Sequence, residues 1–514
     1  MAVSSTDYLH KILLAPVYDV AVKTDLVLLD KLSDELGNQI YLKREDQQPV
    51  KSFKLRGAYS RISQLSEAQR QAGVITASAG NHAQGVAYSA KQRQIQATIV
   101  MPETTPEIKV EAVRNFGGEF VNIVLHGTDF DTASQHAAKL AEQHHLTMVP
   151  PFDHPDVIAG QGTVAKEMLE QNPNIEMVFV AVGGGGLIAG MAVYLKQLKP
   201  DLKIIAVESD ESACLQAAMQ AGERVTLPSV GIFADGVAVK IIGEEPFRLC
   251  QQYVDEVITV NSDEICAAIK DIFDDTRVIA EPAGAISIAG IRKYLKSNPM
   301  QGKQLGAILC GANINFHTLR YVSERCELGE QKEAVFAAKI PERKGAFRTF
   351  CRLLGGRAIT EFNYRYSPGE DAHVFVGVRL RQGKQEFALI NQTLTEQGYE
   401  LNDLSDNEIA KLHVRYMVGG RPAGLQKEHL YSFEFPEYPG ALMKFLDTLG
   451  EQWNITLFHY RNHGAADGLV LAGFDIDDAS KQAFNQHLQQ LGYRFEEQTD
   501  NPAYQYFLSG NSLK

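Results

Sequence analysis

From about residue 73 to 210, short apolar runs rich in β-branched residues alternate with amphipathic segments, a rhythm that few folds tolerate. "GVITA" (73–77) reads as a buried strand, "NHAQGVAYSAKQR" as a helix, "ATIVM" (97–101) as the next strand and "KVEAVRNFGG" as a helix ending at Gly117. The pattern continues through "EFVNIVL", "FDTASQHAAKLAEQHH", "LTMVP", "GTVAKEMLEQ", "EMVFVAV", a helix from Leu187 and "KIIAVES". Strands without polar alternation have no face to offer water, so they predict a parallel sheet covered by helices on both sides. Residues 1–325 are expected to form this doubly wound α/β domain, built from two α/β subdomains.

After "SERCELGEQKE" (323–333), a polar stretch suited to a linker, the chain repeats itself. "IPERKGAFRTF" (340–350) echoes "FPEYPGALMKF" (435–445), keeping Pro341/Pro436, Glu342/Glu437, Gly345/Gly440 and Ala346/Ala441 at an offset of 95. "FNYR" (362–365) matches "FHYR" (458–461), Gly377 matches Gly473, and Gly398-Tyr399 matches Gly492-Tyr493. Each copy reads as strand, helix, two strands, helix and strand, which predicts two small α+β modules over 335–410 and 429–514.

A formal charge of −13 argues against a nucleic-acid or anionic-membrane binder, because both partners require a positive field. The six cysteines (214, 250, 266, 310, 326 and 351) are scattered and form no CxxC pair, as expected of reduced thiols in a cytosol. The start of the chain lacks a charged region followed by a continuous apolar run, and no later segment reaches the length of a membrane span. A soluble cytoplasmic protein is expected.

Two strand-helix junctions carry chemistry. Gly183, Gly184, Gly185 and Gly186 separate the strand "VFVAV" from a helix, so backbone N–H groups and the helix dipole can close around an anion, with phosphate the natural occupant. The run is not a registered GxGxxG, although Glu208, about 20 residues on, invites comparison with a dinucleotide site. The second junction, "ITASAGNHAQGVA" (75–87), puts Ser78, Gly80, Asn81 and His82 at the carboxyl end of a strand, where open α/β sheets bind ligands. Ser78 or Asn81 also suits an ordinary helix N-cap.

A third stretch, "VKSFKLRGAYS" (50–60), sets Lys51, Lys54 and Arg56 among Phe53 and Leu55. Taken together, "SFKLRGA", "SAGNHAQG" and "VGGGGL" resemble the pyridoxal-phosphate enzymes of the tryptophan-synthase β family, fold type II, and within it the whole chain is similar to the threonine dehydratases. The resemblance implies pyridoxal 5'-phosphate held on Lys54 beside Phe53. It also implies a ring-oxygen contact from Asn81, and a phosphate loop made of Gly183, Gly184, Gly185, Gly186 and Leu187. Ser78, with the backbone of Ala79, Gly80, Asn81 and His82, would grip the substrate carboxylate. Where the family places serine at the pyridine nitrogen, "ILCGANINF" puts Cys310, a weaker donor.

By the same resemblance the reaction is dehydration and deamination of L-threonine, with L-serine as an alternative, and the repeats are ACT-like modules through which isoleucine inhibits and valine opposes it. A homotetramer is implied on the same ground. Tyr364 and Tyr460 occupy equivalent positions, suited to effector contact or simply to a core. Gln161, Gly162 and Thr163 fit either an approach to the cofactor or a Pro-initiated helix. Histidines 126, 136, 144, 145 and 154 form no tight ligand set, so no catalytic metal is expected; the resemblance alone offers Asp235 of "FADG" to a structural cation. The competing functions are another pyridoxal-phosphate reaction on the same fold, a nicotinamide-dependent oxidoreductase, and a non-catalytic amino-acid sensor.

Overall fold

The computed structural model describes residues 4–231, 233–316, 318–366, 371–412, 414–417, 425, 427–436, 441–450, 452–461, 467–477, 479–501, 504 and 508. The chain divides into two units, one ending at Gly329 and one beginning at Glu330. Among the described residues no helix is long and apolar enough to cross a membrane.

The first unit contains β1 (Leu26–Leu28), β2 (Gln39–Arg44), β3 (Val74–Ala77), β4 (Ala97–Met101), β5 (Val121–Leu125), β6 (Thr147–Met148), β7 (Met177–Ala181), β8 (Lys203–Ser209), β9 (Glu256–Val260) and β10 (Gln304–Leu309). The strands form two sheets. One runs β1-β2-β10-β7-β8-β9 and is parallel except for β1 at its edge; the other, β5-β4-β3-β6, is parallel throughout. The chain leaves the larger sheet after β2, builds the smaller one, and returns with β7. Apolar strands are buried along nearly their whole length, as in β3 and β8, because helices cover both faces. One example of that cover is Phe179 of β7, which meets Tyr294 of the helix Pro282–Ser297 edge-on at 5.4 Å.

This route has one consequence for chemistry. The segments after β2, β3, β6, β7 and β10 all follow carboxyl ends of parallel strands, where peptide geometry leaves a crevice for ligands.

The boundary between the units falls inside the polar stretch 323–333, at Gly329/Glu330, but most of that stretch is not linker. It is helical to Gly329, within Thr318–Gly329, and β11 begins at Glu333. Polar residues there clothe an amphipathic helix that buries Val322, Cys326 and Leu328.

The second unit contains β11 (Glu333–Pro341), β12 (Ile359–Arg365), β13 (Asp371–Arg379), β14 (Glu400–Asp403), β15 (Glu428–Pro436), β16 (Asn454–Arg461), β17 (Asp467–Asp475) and β18 (Arg494–Glu497). They form a single antiparallel sheet, β14-β11-β13-β12-β16-β17-β15-β18, in which the second repeat mirrors the first. The equivalent strands β12 and β16 pair with Phe362 opposite Tyr460, Asn363 opposite His459 and Tyr364 opposite Phe458, so a pseudo-dyad passes between Asn363 and His459.

Gly377 and Gly473 have the same task in each copy. Each faces a register shift, at Thr360 and Thr456, and a Cβ on Gly473 would lie 2.8 Å from Glu428 and 2.9 Å from Thr456, while one on Gly377 would overlap Thr360. Of the repeat's matched positions, Glu437 and Gly440 lie outside the described residues.

Candidate active site

Lys54 opens the helix Lys54–Ser63, just after a loop in which Phe53 N–H donates to Cys310 O (3.2 Å) and Ala312 N–H to Lys51 O (3.0 Å). The lysine loop and the Cys310 loop therefore run side by side. A Cβ on Gly85, in the helix Asn81–Arg93, would lie 3.2 Å from the Lys54 carbonyl and from Leu55 N, so that glycine lets the two helices touch at Lys54. Two of the motifs are thereby brought together.

The third motif joins through residues 151 and 152. Lys54 Nζ donates to Pro151 O at 3.1 Å, and the next residue, Phe152, packs into the glycine turn: a Cβ on Gly184 would overlap its ring and one on Gly186 would come 2.9 Å from its carbonyl oxygen. Gly183 is pressed as closely against Val237, with a Cβ-to-Cα approach of 2.9 Å. Only Gly185 has left-handed backbone, φ 88°. All four glycines are closely approached by other chain segments, Gly185 by Ile242 and Pro246 at 2.6 and 2.8 Å from a built Cβ. The helix Gly186–Leu198 begins on this turn, with first-turn N–H groups that have no acceptor within the helix.

Electrostatics single out Lys54 among the nearby cations. Burial lowers its pKa to about 8, against the smaller opposing pull of Cys310 and Glu281. Lys51 is exposed and carries a left-handed φ of 57°. Arg56 is wholly buried in a four-charge lattice: it bonds Glu45 at 2.8 Å and Glu167 at 2.6 and 3.0 Å, and Lys43 joins Glu167 at 2.6 Å. The lattice ties the lysine-bearing helix to β2 and to the helix Pro155–Gln171.

Asn81 is the first residue of its helix and sits in a ring of three side chains. Its Nδ2 donates to Glu281 Oε1 (2.7 Å), and Asn313 Nδ2 donates to its Oδ1 (2.7 Å). The ring closes where Asn313 backbone N–H donates to Glu281 Oε2 (3.1 Å). Burial, with Asp235 adding to it, pushes Glu281 up to about 7. Neither Ser78 nor Asn81 caps the helix: Gly80 is its N-cap, and Ser78 Oγ accepts from Gly80 N–H at 3.3 Å. Ala79 packs against the core of the smaller sheet.

His82 is buried and held neutral, its pKa lowered to about 3 by burial and then by Lys54; its Nε2 lies 2.9 Å from Val149 O and so carries the proton. Cys310 is buried at the end of β10, and burial pushes its thiol well above the usual range, so it stays protonated.

Other expected residues are placed elsewhere. Gln161, Gly162 and Thr163 lie inside the helix Pro155–Gln171. Gln161 fills the space beside Gly57, Gly162 packs against Ile12 and Gly190, and Thr163 accepts from Arg56 at 3.1 Å, so this stretch is helix packing rather than a cofactor loop. Asp235 pairs with Lys109. Glu208 is buried and bonded by Leu215 and Gln216 N–H, both at 2.8 Å; with its carboxylate capping the helix Cys214–Ala221, it offers nothing to a dinucleotide ribose.

The residues fit pyridoxal phosphate: a backbone-lined turn at a helix N-terminus for the phosphate, a lysine with depressed pKa joined to that turn through Pro151 and Phe152, and an asparagine with one amide hydrogen uncommitted among the described residues. Sequence reasoning missed Glu281 and Asn313, whose "EPAG" and "GANIN" settings lack distinctive spacing.

Residues 17–311 match the family described as pyridoxal-phosphate dependent enzyme, and residues 324–414 and 419–508 match the C-terminal regulatory domain of threonine dehydratase. The chain is 58% identical to the L-threonine dehydratase biosynthetic IlvA of Pasteurella multocida, covering 98% of each, and 58% identical to that of Escherichia coli, covering 99% of this chain and 98% of the relative. Among solved structures, the processed threonine deaminase isoform 2 of Solanum lycopersicum superimposes with a TM-score of 0.61 at 49% identity, covering 62% of this chain and 92% of that one. With the lysine, the glycine turn and the duplicated regulatory unit all in place, the chain belongs to the pyridoxal-phosphate-dependent threonine dehydratases.

Proposed function

We propose that the protein dehydrates and deaminates L-threonine to 2-oxobutanoate and ammonia, the first step of isoleucine biosynthesis, with L-serine as an alternative substrate. Pyridoxal phosphate bound here supplies an electron sink that acidifies the Cα–H of the attached amino acid. The chain's own groups do the rest. Lys54 would hold the cofactor, and its neutral amine would take the Cα proton on Nζ. The glycine turn, from Gly183 to Leu187, anchors the phosphate, and the segment Ser78–His82, at the start of a 13-residue helix, receives the substrate carboxylate. Asn81 would donate to the ring oxygen of the bound cofactor. Cys310, kept protonated, gives the ring nitrogen an uncharged partner, which favours loss of the β-hydroxyl over transamination.

The carrying observation is the bond from Lys54 Nζ to Pro151 O, next to the residue that packs into the glycine turn. The test is direct: Lys54→Ala should lose the visible cofactor absorption and at least ~10³-fold of threonine turnover, and a variant that kept near wild-type turnover would refute the assignment.

Isoleucine as inhibitor, valine as its antagonist and a homotetrameric assembly complete the reading. A cavity lined by Glu342, Phe347 and Tyr364 of the first repeat and Leu446, Trp453 and Asn454 of the second is a fitting place for a small amino acid. Tyr364 hydroxyl donates to Glu342 at 2.7 Å there.

A further inference from the structure

We propose that Glu281 is a positioning residue of the active site, which together with Asn313 fixes the orientation of the Asn81 amide and so aims its second N–H at the ligand. The proposal rests on the cofactor reading above and adds a residue to it.

The argument is one of donor and acceptor count. Asn313 Nδ2 spends its two hydrogens on Val50 O (2.9 Å) and Asn81 Oδ1 (2.7 Å), and since a backbone carbonyl only accepts, the orientation of the Asn313 amide is settled. Asn81 must therefore present Oδ1 to Asn313 and Nδ2 to Glu281. Glu281 in turn receives Asn81 Nδ2–H on one oxygen and the Asn313 backbone N–H on the other, at 2.7 and 3.1 Å. Both neighbours donate, and an ionised carboxylate gives each of them its own acceptor oxygen.

Exactly one amide hydrogen of Asn81 is left uncommitted among the described residues. The ring is also held from outside. Glu281 N–H donates to Gly311 O at 3.2 Å, and a Cβ on Gly311 would lie 2.6 Å from Glu281 Oε1 and 3.2 Å from Asn81 Nδ2, so the "CGAN" turn is pressed onto this carboxylate. Glu281 is 6% exposed. A carboxylate buried to that degree beside two amides, with no cation bonded to it among the described residues, is costly unless its acceptors are needed.

Glutamine, ordinarily the mildest replacement, is the informative one here. Its carbonyl would go to the fixed Asn313 N–H, its NH2 would then face Asn81 Nδ2, and Asn81 could relieve that clash only by flipping its own NH2 against that of Asn313.

The experiment uses the full-length apoprotein and pyridoxal 5'-phosphate, with affinity read from absorbance and fluorescence titration rather than from turnover. Glu281→Gln is expected to weaken cofactor binding about 10-fold or more, the size of a lost charge-assisted bond. In an Asn81→Ala background the same change should cost less than about 2-fold, because nothing is left to orient. Equal losses in both backgrounds, or an affinity within about 2-fold of wild type for Glu281→Gln alone, would overturn the proposal. Should circular dichroism show Glu281→Gln unfolded, Asn313→Ala, which removes the other holder of the amide, must show the same dependence on Asn81. A wild-type apoprotein that takes up no pyridoxal phosphate would instead sink the cofactor reading.

Discussion

Lys54 is set apart by where it sits rather than by any neighbouring base. With its pKa near 8, about half of it is neutral at pH 8, whereas a lysine of ordinary pKa would be neutral in about one molecule in 300. Depression means the folded state favours the unprotonated amine, so reactivity grows as pH rises through about 8. Cofactor uptake by apoprotein should accelerate with pH with a midpoint near 8; stopped-flow absorbance checks this, and a midpoint near 10.5 would contradict it. The groups facing the amine are Cys310, Glu281 and His82, and only Glu281 titrates nearby, near 7. Arg56, two residues on, does a different job. Arg56→Leu leaves Glu45 and Glu167 buried with less compensation and should cost about 3–5 kcal/mol of stability by denaturant melting. Lys54 stands out in the sequence because its neighbours there form a motif. Glu281 was not, because what defines it lies 200 residues away at Asn81 and 32 away at Asn313.

At the level of elements, the glycine turn was read correctly as a strand-helix junction, and the reason for glycine there is largely steric. Phe152, Val237, Ile242 and Pro246 occupy the places where side chains would stand. Gly184→Ala should displace Phe152, and with it the carbonyl that holds Lys54 Nζ, weakening cofactor affinity at least ~10-fold, given that overpacking costs about 1–3 kcal/mol; an equilibrium titration measures it. The alternation of strands and helices was readable residue by residue, as in Asn81–Arg93 and Lys203–Ser209, because burial on two faces leaves an unbroken apolar signature. Division of those strands into two sheets was not, since pairing depends on contacts far apart in sequence. Thr318–Gly329 misled for a related reason: a polar surface helix and a polar linker share a composition, and only the spacing of Val322, Cys326 and Leu328 separates them.

For the whole chain, the repeat in sequence foretold the duplication but not that both copies would share one sheet. Removing residues 330–514 should leave threonine turnover and abolish the response to isoleucine, as read by steady-state assay; inhibition surviving in the truncated enzyme would refute the regulatory reading. A shorter deletion should behave differently. The seam between copies consists of five paired residues on each side, Glu361–Arg365 against Leu457–Arg461, and Arg365 crosses it to bond Glu428 at 2.5 and 3.0 Å. Neither copy can be discarded singly without laying bare a hydrophobic strand edge ready to capture another chain. The duplicated half is thus inherited as one object: a lineage can keep both copies or lose both, and any single-copy descendant must first have found something else to cover Phe362 or Phe458.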